Sequence, residues 1–401
     1  MGQRLEQFLE RAAILPGIRP EAERISLAQK AEGARVYDVD NHGYIDYTGA
    51  GGAAILGYAN QFVLDAVRRT LATGIPDGFH TPQEIELAEA LTRFLPWAGA
   101  FTFHRSEDEA LSAVLKAAVR LTGRERVLFL RGRDDGSGAT GCVRRGPEPP
   151  GSREVPGWDL DRIEAAIVGG ASKLAAVVVD PILSACGVVP APEGVLARVA
   201  AIATEQGVLF VLDERVTGFR LGRGGAAEWA GVEPDAAVYG GALGNGFPIG
   251  VVAYRHGIDP SGVPEDPTAV HPVSLAAAEA VLSVLKNDTV YERLGERTAQ
   301  LAEGLLALAG RFGRPMTINR AGSILAIYAT REPVTAPAGA AASDLREYRR
   351  LAEGLRGEGV LLPADGLRPM FLSHAHSQKD VEETLAACER VLLRLHQEDL
   401  P

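Results

Sequence analysis

The pair Asp213-Glu214 closes the apolar run Val208–Leu212, which has the length and composition of a buried β-strand. Carboxylates at the carboxyl end of such a strand lie where α/β sheets bind ligands. There they can exchange a proton or keep a ring nitrogen protonated. Arg215 follows directly and can orient an anion against either acid. A second acidic group, Ser106-Glu107-Asp108-Glu109, opens a helical stretch that runs to about Leu121. Ser106 and Glu109 have the S-x-x-E spacing of a capping box, and Glu107 and Asp108 set carboxylates at the positive end of that helix. Three histidines are candidates for acid–base work near neutral pH: His80 in the loop Gly78-Phe79-His80-Thr81, His104 at a strand end, and His271. Arg105, Arg131, Arg133 and Arg368 are further candidates for holding an anionic substrate. No spacing of His, Cys, Asp and Glu fits a metal site.

The elements that must carry these residues follow from the hydrophobic pattern. Short β-rich runs at Ala100–Phe103, Val127–Leu130, Leu174–Val179, Val208–Leu212, Ala236–Tyr239 and Gly250–Ala253 alternate with helical stretches. This predicts an α/β fold with a mostly parallel sheet covered by helices. A hairpin is predicted around Asp40-Asn41-His42-Gly43, long helices near Leu275–Asp288 and Val381–Leu395, and a strand at Ile324–Tyr328. Arg144–Val155 and Pro333–Ala342 read as loops. The pattern divides the chain into a large domain over residues 59–284 and a small α+β domain made from residues 1–58 and 285–401. A chain of 401 residues, 46% hydrophobic, can bury cores of that size.

Composition excludes several function classes. The net charge is −11, from 41 basic and 52 acidic residues, and no basic tract is present, so no nucleic-acid partner is expected. Met1–Ala13 reads as an amphipathic helix without the apolar core of a signal, and no segment has the length and apolarity to span a membrane; a cytoplasmic protein is expected. Cys142, Cys186 and Cys388 are too scattered for a disulfide framework. Only five of the basic residues are lysines.

Several segments in order, Gly33–Tyr47, Ile55–Tyr58, Glu84–Ala90, Asp180-Pro181 with Gly187–Pro190, Leu212–Arg220 (LDERVTGFR) and Phe371–His376, resemble the class III pyridoxal-phosphate aminotransferases. The glutamate-1-semialdehyde aminomutase branch is the nearest by this resemblance. It implies the aminotransferase fold, a homodimer, and a role for Asp213 opposite the cofactor's pyridine nitrogen. It also marks departures. Gly241 stands where the family carries the Schiff-base lysine, and glycine has no amine to form an imine. Glu107 and Asp108 stand in the family's phosphate-binding turn, where they oppose an anion. Asp134 stands at the ring-stacking aromatic position, and Thr268 is displaced by one residue in the turn that reaches the partner's phosphate.

By the same resemblance Arg105, Arg131, Arg133, Asp134, Asp135, Glu107, Asp108, Arg215 and His271 form a wet, charged cleft. The resulting expectation is an enzyme without pyridoxal phosphate or any other cofactor. It would perform acid–base chemistry of isomerase, lyase or cyclase type on a small anionic metabolite, through Asp213, Glu214 and a histidine. One alternative is an inactive scaffold subunit, its cleft charges tied in mutual salt bridges. Another is an aminotransferase or aminomutase using non-covalent pyridoxal or pyridoxamine phosphate.

Overall fold

A computed structural model describes residues 4, 6–7, 28–75, 79–132, 151–261 and 270–399. The first described strands are β1 (Ala28–Glu32), β2 (Arg35–Asp38) and β3 (Gly43–Asp46), followed by helices α1 (Gln61–Thr73) and α2 (Pro82–Thr92). The next stretch holds β4 (Ala98–His104), α3 (Glu107–Thr122), β5 (Arg126–Leu130), β6 (Arg153–Val155), α4 (Leu160–Gly170), β7 (Leu174–Val179) and α5 (Val195–Glu205). Then come β8 (Leu209–Glu214), α6 (Gly225–Ala230), β9 (Ala236–Tyr239), β10 (Gly250–Arg255), α7 (Pro272–Leu285) and α8 (Thr289–Arg311). The chain continues through β11 (Thr317–Ala321), β12 (Ile324–Tyr328), α9 (Pro337–Ala341), α10 (Leu345–Gly357), β13 (Val360–Leu361), β14 (Met370–Phe371) and α11 (Gln378–Glu398).

The principal sheet has seven strands in the order β4-β10-β9-β8-β7-β5-β6. All neighbours pair parallel except β10, which runs against both β4 and β9. Every residue of the run Leu174–Val179 is buried, as a central strand covered on both faces requires. Alternation along the strands divides the core: Val127, Phe129, Val178, Val211 and Val238 pack on α3 with Leu111 and Val114, while Leu128, Leu130, Val177 and Val179 face the larger cluster. Of two smaller sheets, β1-β2-β3-β13 joins early strands to a late one, and β11-β12-β14 is built from late strands alone. The α/β architecture with a mostly parallel sheet that the pattern predicts is therefore present.

Several boundaries differ from expectation for local reasons. Pro337–Ala341 is helical, not loop, because proline at the first helical position is preset for it. Arg153–Val155, expected in a loop, adds an edge strand to β5. The helix expected from Leu275 begins at Pro272, with the His271 ring capping it, and ends before Asp288. The closing helix starts at Gln378 because Ser377 and Asp380 form a capping box. The helix expected over Met1–Ala13 falls almost wholly outside the described residues. Among the described residues no helix is long and apolar enough to cross a membrane.

Candidate active site

The carboxyl edge of the seven-stranded sheet collects the candidate groups. Because β4, β5, β7, β8 and β9 run in one direction, His104, Arg131, Asp180, Asp213-Glu214 and Gly240-Gly241 all emerge along this edge. The start of α3 faces the same edge. Ser106 caps it by accepting from Glu109 N at 3.2 Å, and Glu109 Oε2 accepts from Arg105 N at 3.0 Å, one residue before the N-cap. Gly250 lies against that turn: a Cβ there would come within 2.1 Å of Ser106 O. The first turn of α3 is thus pressed onto the sheet.

Arg215 organises the charges. It is almost fully buried, and its guanidinium donates through Nε to Asp213 Oδ1 at 2.8 Å and through Nη2 to Asp213 Oδ2 at 2.8 Å. Its Nη1 donates to Asp108 Oδ1 at 3.1 Å, which ties the strand end to the helix start. Glu107 turns the other way, and its Oε2 accepts from Gly241 N at 3.1 Å. Glu214 is fully buried and accepts from Ala226 N at 2.6 Å, Tyr239 Oη at 3.1 Å and Thr217 Oγ1 at 3.3 Å. Asp180 accepts from Ser184 N at 2.6 Å, Ser184 Oγ at 2.7 Å and Ile182 N at 3.2 Å.

These partners set the protonation states. Burial alone would push the Asp213 carboxyl up, but the charge and hydrogen bonds of Arg215, helped by Arg131, hold it below the usual carboxylate range. Arg215 thus supplies Asp213 with a cation from within the chain. Burial pushes Glu107 up to about 7, with Asp213 and Asp108 adding to the shift and Arg215 opposing it. Burial likewise pushes Glu214 up to about 7 and Asp180 up to about 6. Glu107 therefore takes up a proton far more readily than an exposed glutamate does.

The histidines do not hydrogen-bond to this network. His104 Nε2 pairs with Thr102 Oγ1 at 2.9 Å, and burial, with the charge of Lys116, pushes the ring down to about 4. It is neutral at pH 7 and has no proton to give as an acid. His271 Nδ1 accepts from Val273 N at 3.3 Å as the cap of α7, and the exposed His80 ring pairs with Glu84 at 2.8 Å. Arg368 pairs with Asp365 at 3.1 Å inside its own turn, and Arg131 lies over the Phe129 ring and 3.5 Å from Glu154. Arg133, Asp134, Asp135 and Thr268 lie outside the described residues. Asp180 and Tyr239 were missed as site residues. An acid directly after an apolar strand, as Asp180 is, gives the same signal as Asp213. All five lysines are exposed.

Against a pyridoxal-type cofactor, the site offers an ionised Asp213 for a ring nitrogen. The electrostatic objection raised from the sequence counted Glu107 and Asp108 as two free negative charges. Asp108 is paired with Arg215, and Glu107 is held on Gly241 N with burial raising its proton affinity, so the end of α3 does not carry two free charges. A protonated Glu107 is also a donor toward an anion.

Comparison with known proteins points the same way. The sequence pattern of Aminotransferase class-III matches residues 159–391. A glutamate-1-semialdehyde 2,1-aminomutase 2 of Brevibacillus brevis is 34% identical over 381 residues, which cover 90% of this chain and 89% of that protein. An omega-transaminase from Sphaerobacter thermophilus superposes with a TM-score of 0.86 at 27% identity, covering 98% of each chain. A lysine-to-alanine variant of a glutamate-1-semialdehyde aminomutase from Pseudomonas aeruginosa, solved in complex with PMP, superposes with a TM-score of 0.80 at 24% identity, covering 92% of this chain and 88% of that one. These relatives overturn the cofactor-free reading. The Brevibacillus relative is an aminomutase and the Sphaerobacter neighbour a transaminase, while the Pseudomonas structure supports the shared fold. With aminomutases and transaminases as its relatives, the assignment of cofactor-free acid–base chemistry to this chain is withdrawn.

Proposed function

The chain belongs to the class III aminotransferase family, and from that premise we propose that it is an aminotransferase or aminomutase whose pyridoxal or pyridoxamine phosphate is held without a covalent bond to the protein. The observation that carries this reading is Asp213, kept ionised at the strand end while position 241 is a glycine without an amine. When bound, the cofactor supplies the transferable nitrogen and an electron sink for the adjoining carbon. Asp213 holds the proton on the ring nitrogen. Arg215 retains Asp108 as its partner when Asp213 turns to the ring, so the guanidinium stays neutralised. The activity named for the Brevibacillus relative makes glutamate-1-semialdehyde the first substrate to offer.

The test is direct. Titrating the ligand-free protein with pyridoxamine phosphate in a calorimeter should give a dissociation constant in the micromolar range, about −8 kcal/mol. Adding glutamate-1-semialdehyde should convert bound pyridoxamine phosphate to pyridoxal phosphate, and borohydride should leave no cofactor on the protein by mass spectrometry. Heat-free titrations with both cofactor forms would sink the proposal.

The working unit is a homodimer in this reading. Among the described residues, five of the ten large hydrophobics that stand exposed lie between residues 62 and 85: Phe62, Leu71, Ile75, Phe79 and Ile85. Such a patch marks a surface meant to be covered, and a second copy related by a twofold axis is the simplest occupant. Light scattering at micromolar concentration should return twice the chain mass, and Phe62→Asp with Phe79→Asp should halve it. A monomeric wild type refutes the dimer.

A further inference from the structure

The backbone of Gly240-Gly241 leaves a space that another side chain has entered. A Cβ at Gly240 would meet Glu107 Cβ and Oε2 at 2.6 Å, and one at Gly241 would lie 3.8 Å from the same oxygen. Gly241 N donates to that oxygen at 3.1 Å, so the carboxyl is held in place and does not sweep through solvent. A larger residue at Gly240 would displace it, whereas one at Gly241 would first meet the backbone oxygen of Arg215 at 2.9 Å.

We propose that Glu107 is the proton-transfer group of this site, doing from the start of α3 what a side chain at position 241 cannot do. The inference rests on the non-covalent cofactor reading above. In the step assigned to it, the Glu107 carboxylate takes a proton from the carbon that carries the nitrogen being given up. The C–H bond breaks, an O–H bond forms, and the electron pair passes into the bound ring system. The pair then returns to the carbon that receives the nitrogen, and Glu107 gives that carbon the same proton. The carboxylate ends the cycle as it began: the water released when the substrate carbonyl joins the nitrogen is taken up again when the product amine is set free, so no outside oxidant or base is consumed.

The surroundings suit the task. The charged groups that face Glu107 are Asp108 on its own helix and Asp213 and Arg215 at the end of β8. Two acids and burial raise its proton affinity, and one arginine limits the rise, which leaves both protonation states available near pH 7. Glu214 has a similar proton affinity but a different position. Its side chain is fully buried and both oxygens are taken by Ala226 N, Tyr239 Oη and Thr217 Oγ1, so it reaches no ligand.

Glu107→Gln tests the assignment, because it keeps the shape and removes the titration. Bound pyridoxamine phosphate should be converted by glutamate-1-semialdehyde about 10²-fold more slowly in Glu107→Gln, with pyridoxamine phosphate affinity within about threefold of wild type. Glu107→Asp, which retains a carboxyl one methylene shorter, should fall between. In the ligand-free protein labelled with ¹³C at glutamate carboxyls, one NMR resonance with a midpoint near neutrality should vanish in Glu107→Gln and move in Glu107→Asp. Unchanged conversion in Glu107→Gln, or persistence of that resonance, overturns the role of Glu107 while leaving the cofactor reading intact. A wild type that binds no pyridoxamine phosphate overturns the cofactor reading, and the proton-transfer role falls with it.

Discussion

Arg215→Met is expected to destabilise the ligand-free protein by about 3–5 kcal/mol at pH 8 and by much less at pH 5. Arg215 is the cation between Asp213 and Asp108, with its side chain only 2% exposed and that of Asp213 10% exposed. Methionine fills most of the same volume but leaves those carboxylates, and Glu107 beside them, without a counter-charge. Removing one member of a buried ion pair costs more than the pair contributes, because the remaining charge stays desolvated.

The pH dependence follows from the direction of each shift. Asp213 is held below its ordinary value in the folded wild type, so it contributes stability above the unfolded value, which disappears as pH falls through the folded one. The variant loses that contribution, and unopposed burial pushes Asp213 up instead. Glu107, Glu214 and Asp180 are raised, so each stabilises the fold fully below its unfolded value, near 4, and stops doing so as pH rises through 6 to 7. Lowering the pH from 8 to 5 therefore protonates the groups that repel one another in the variant. Urea midpoints at the two values measure the difference. A loss of equal size at pH 5 and pH 8 would mean that Arg215 acts through packing, not charge.

Much of this arrangement was legible in the residues. Six apolar runs located six of the strands of the main sheet, since a strand buried on both faces has to be continuously apolar. The importance of Asp213 followed from its place at a strand end. What stayed hidden was the partnership of side chains. Asp213 and Asp108 are 105 positions apart, and no local pattern shows that Arg215 folds back onto one and reaches the other. Two adjacent acids at a helix start read as two negative charges. Only the fold shows that one is neutralised by an arginine from β8 and the other turned onto the backbone of Gly241. The histidines misled for a related reason: their chemistry suits proton transfer, but His104 is desolvated into its neutral form and His271 serves as a helix cap.

Asp213→Asn separates the two roles that its carboxylate can have. In the ligand-free protein it anchors Arg215 through two hydrogen bonds of 2.8 Å. In the proposed cofactor-bound protein the same carboxylate, which the ligand-free site holds below the usual range, faces the ring nitrogen. Asparagine has the same size but no charge, and it can offer an unprotonated ring nitrogen only an N–H donor. The ring then stops accepting the electron pair that leaves the reacting carbon, and amine transfer should slow by about 10²–10³-fold, the range found when one preorganised electrostatic partner is removed. Stability should fall far less than in Arg215→Met, because Arg215 keeps Asp108 and no buried anion is left unpaired. The two variants thus have opposite profiles: Arg215→Met chiefly costs stability, and Asp213→Asn chiefly costs turnover. Single-turnover conversion of bound pyridoxamine phosphate, alongside urea melts of the same sample, reads both quantities. If Asp213→Asn melts well below wild type yet transfers the amine at the wild-type rate, Asp213 is an anchor for Arg215 alone, and the ring nitrogen finds its proton elsewhere.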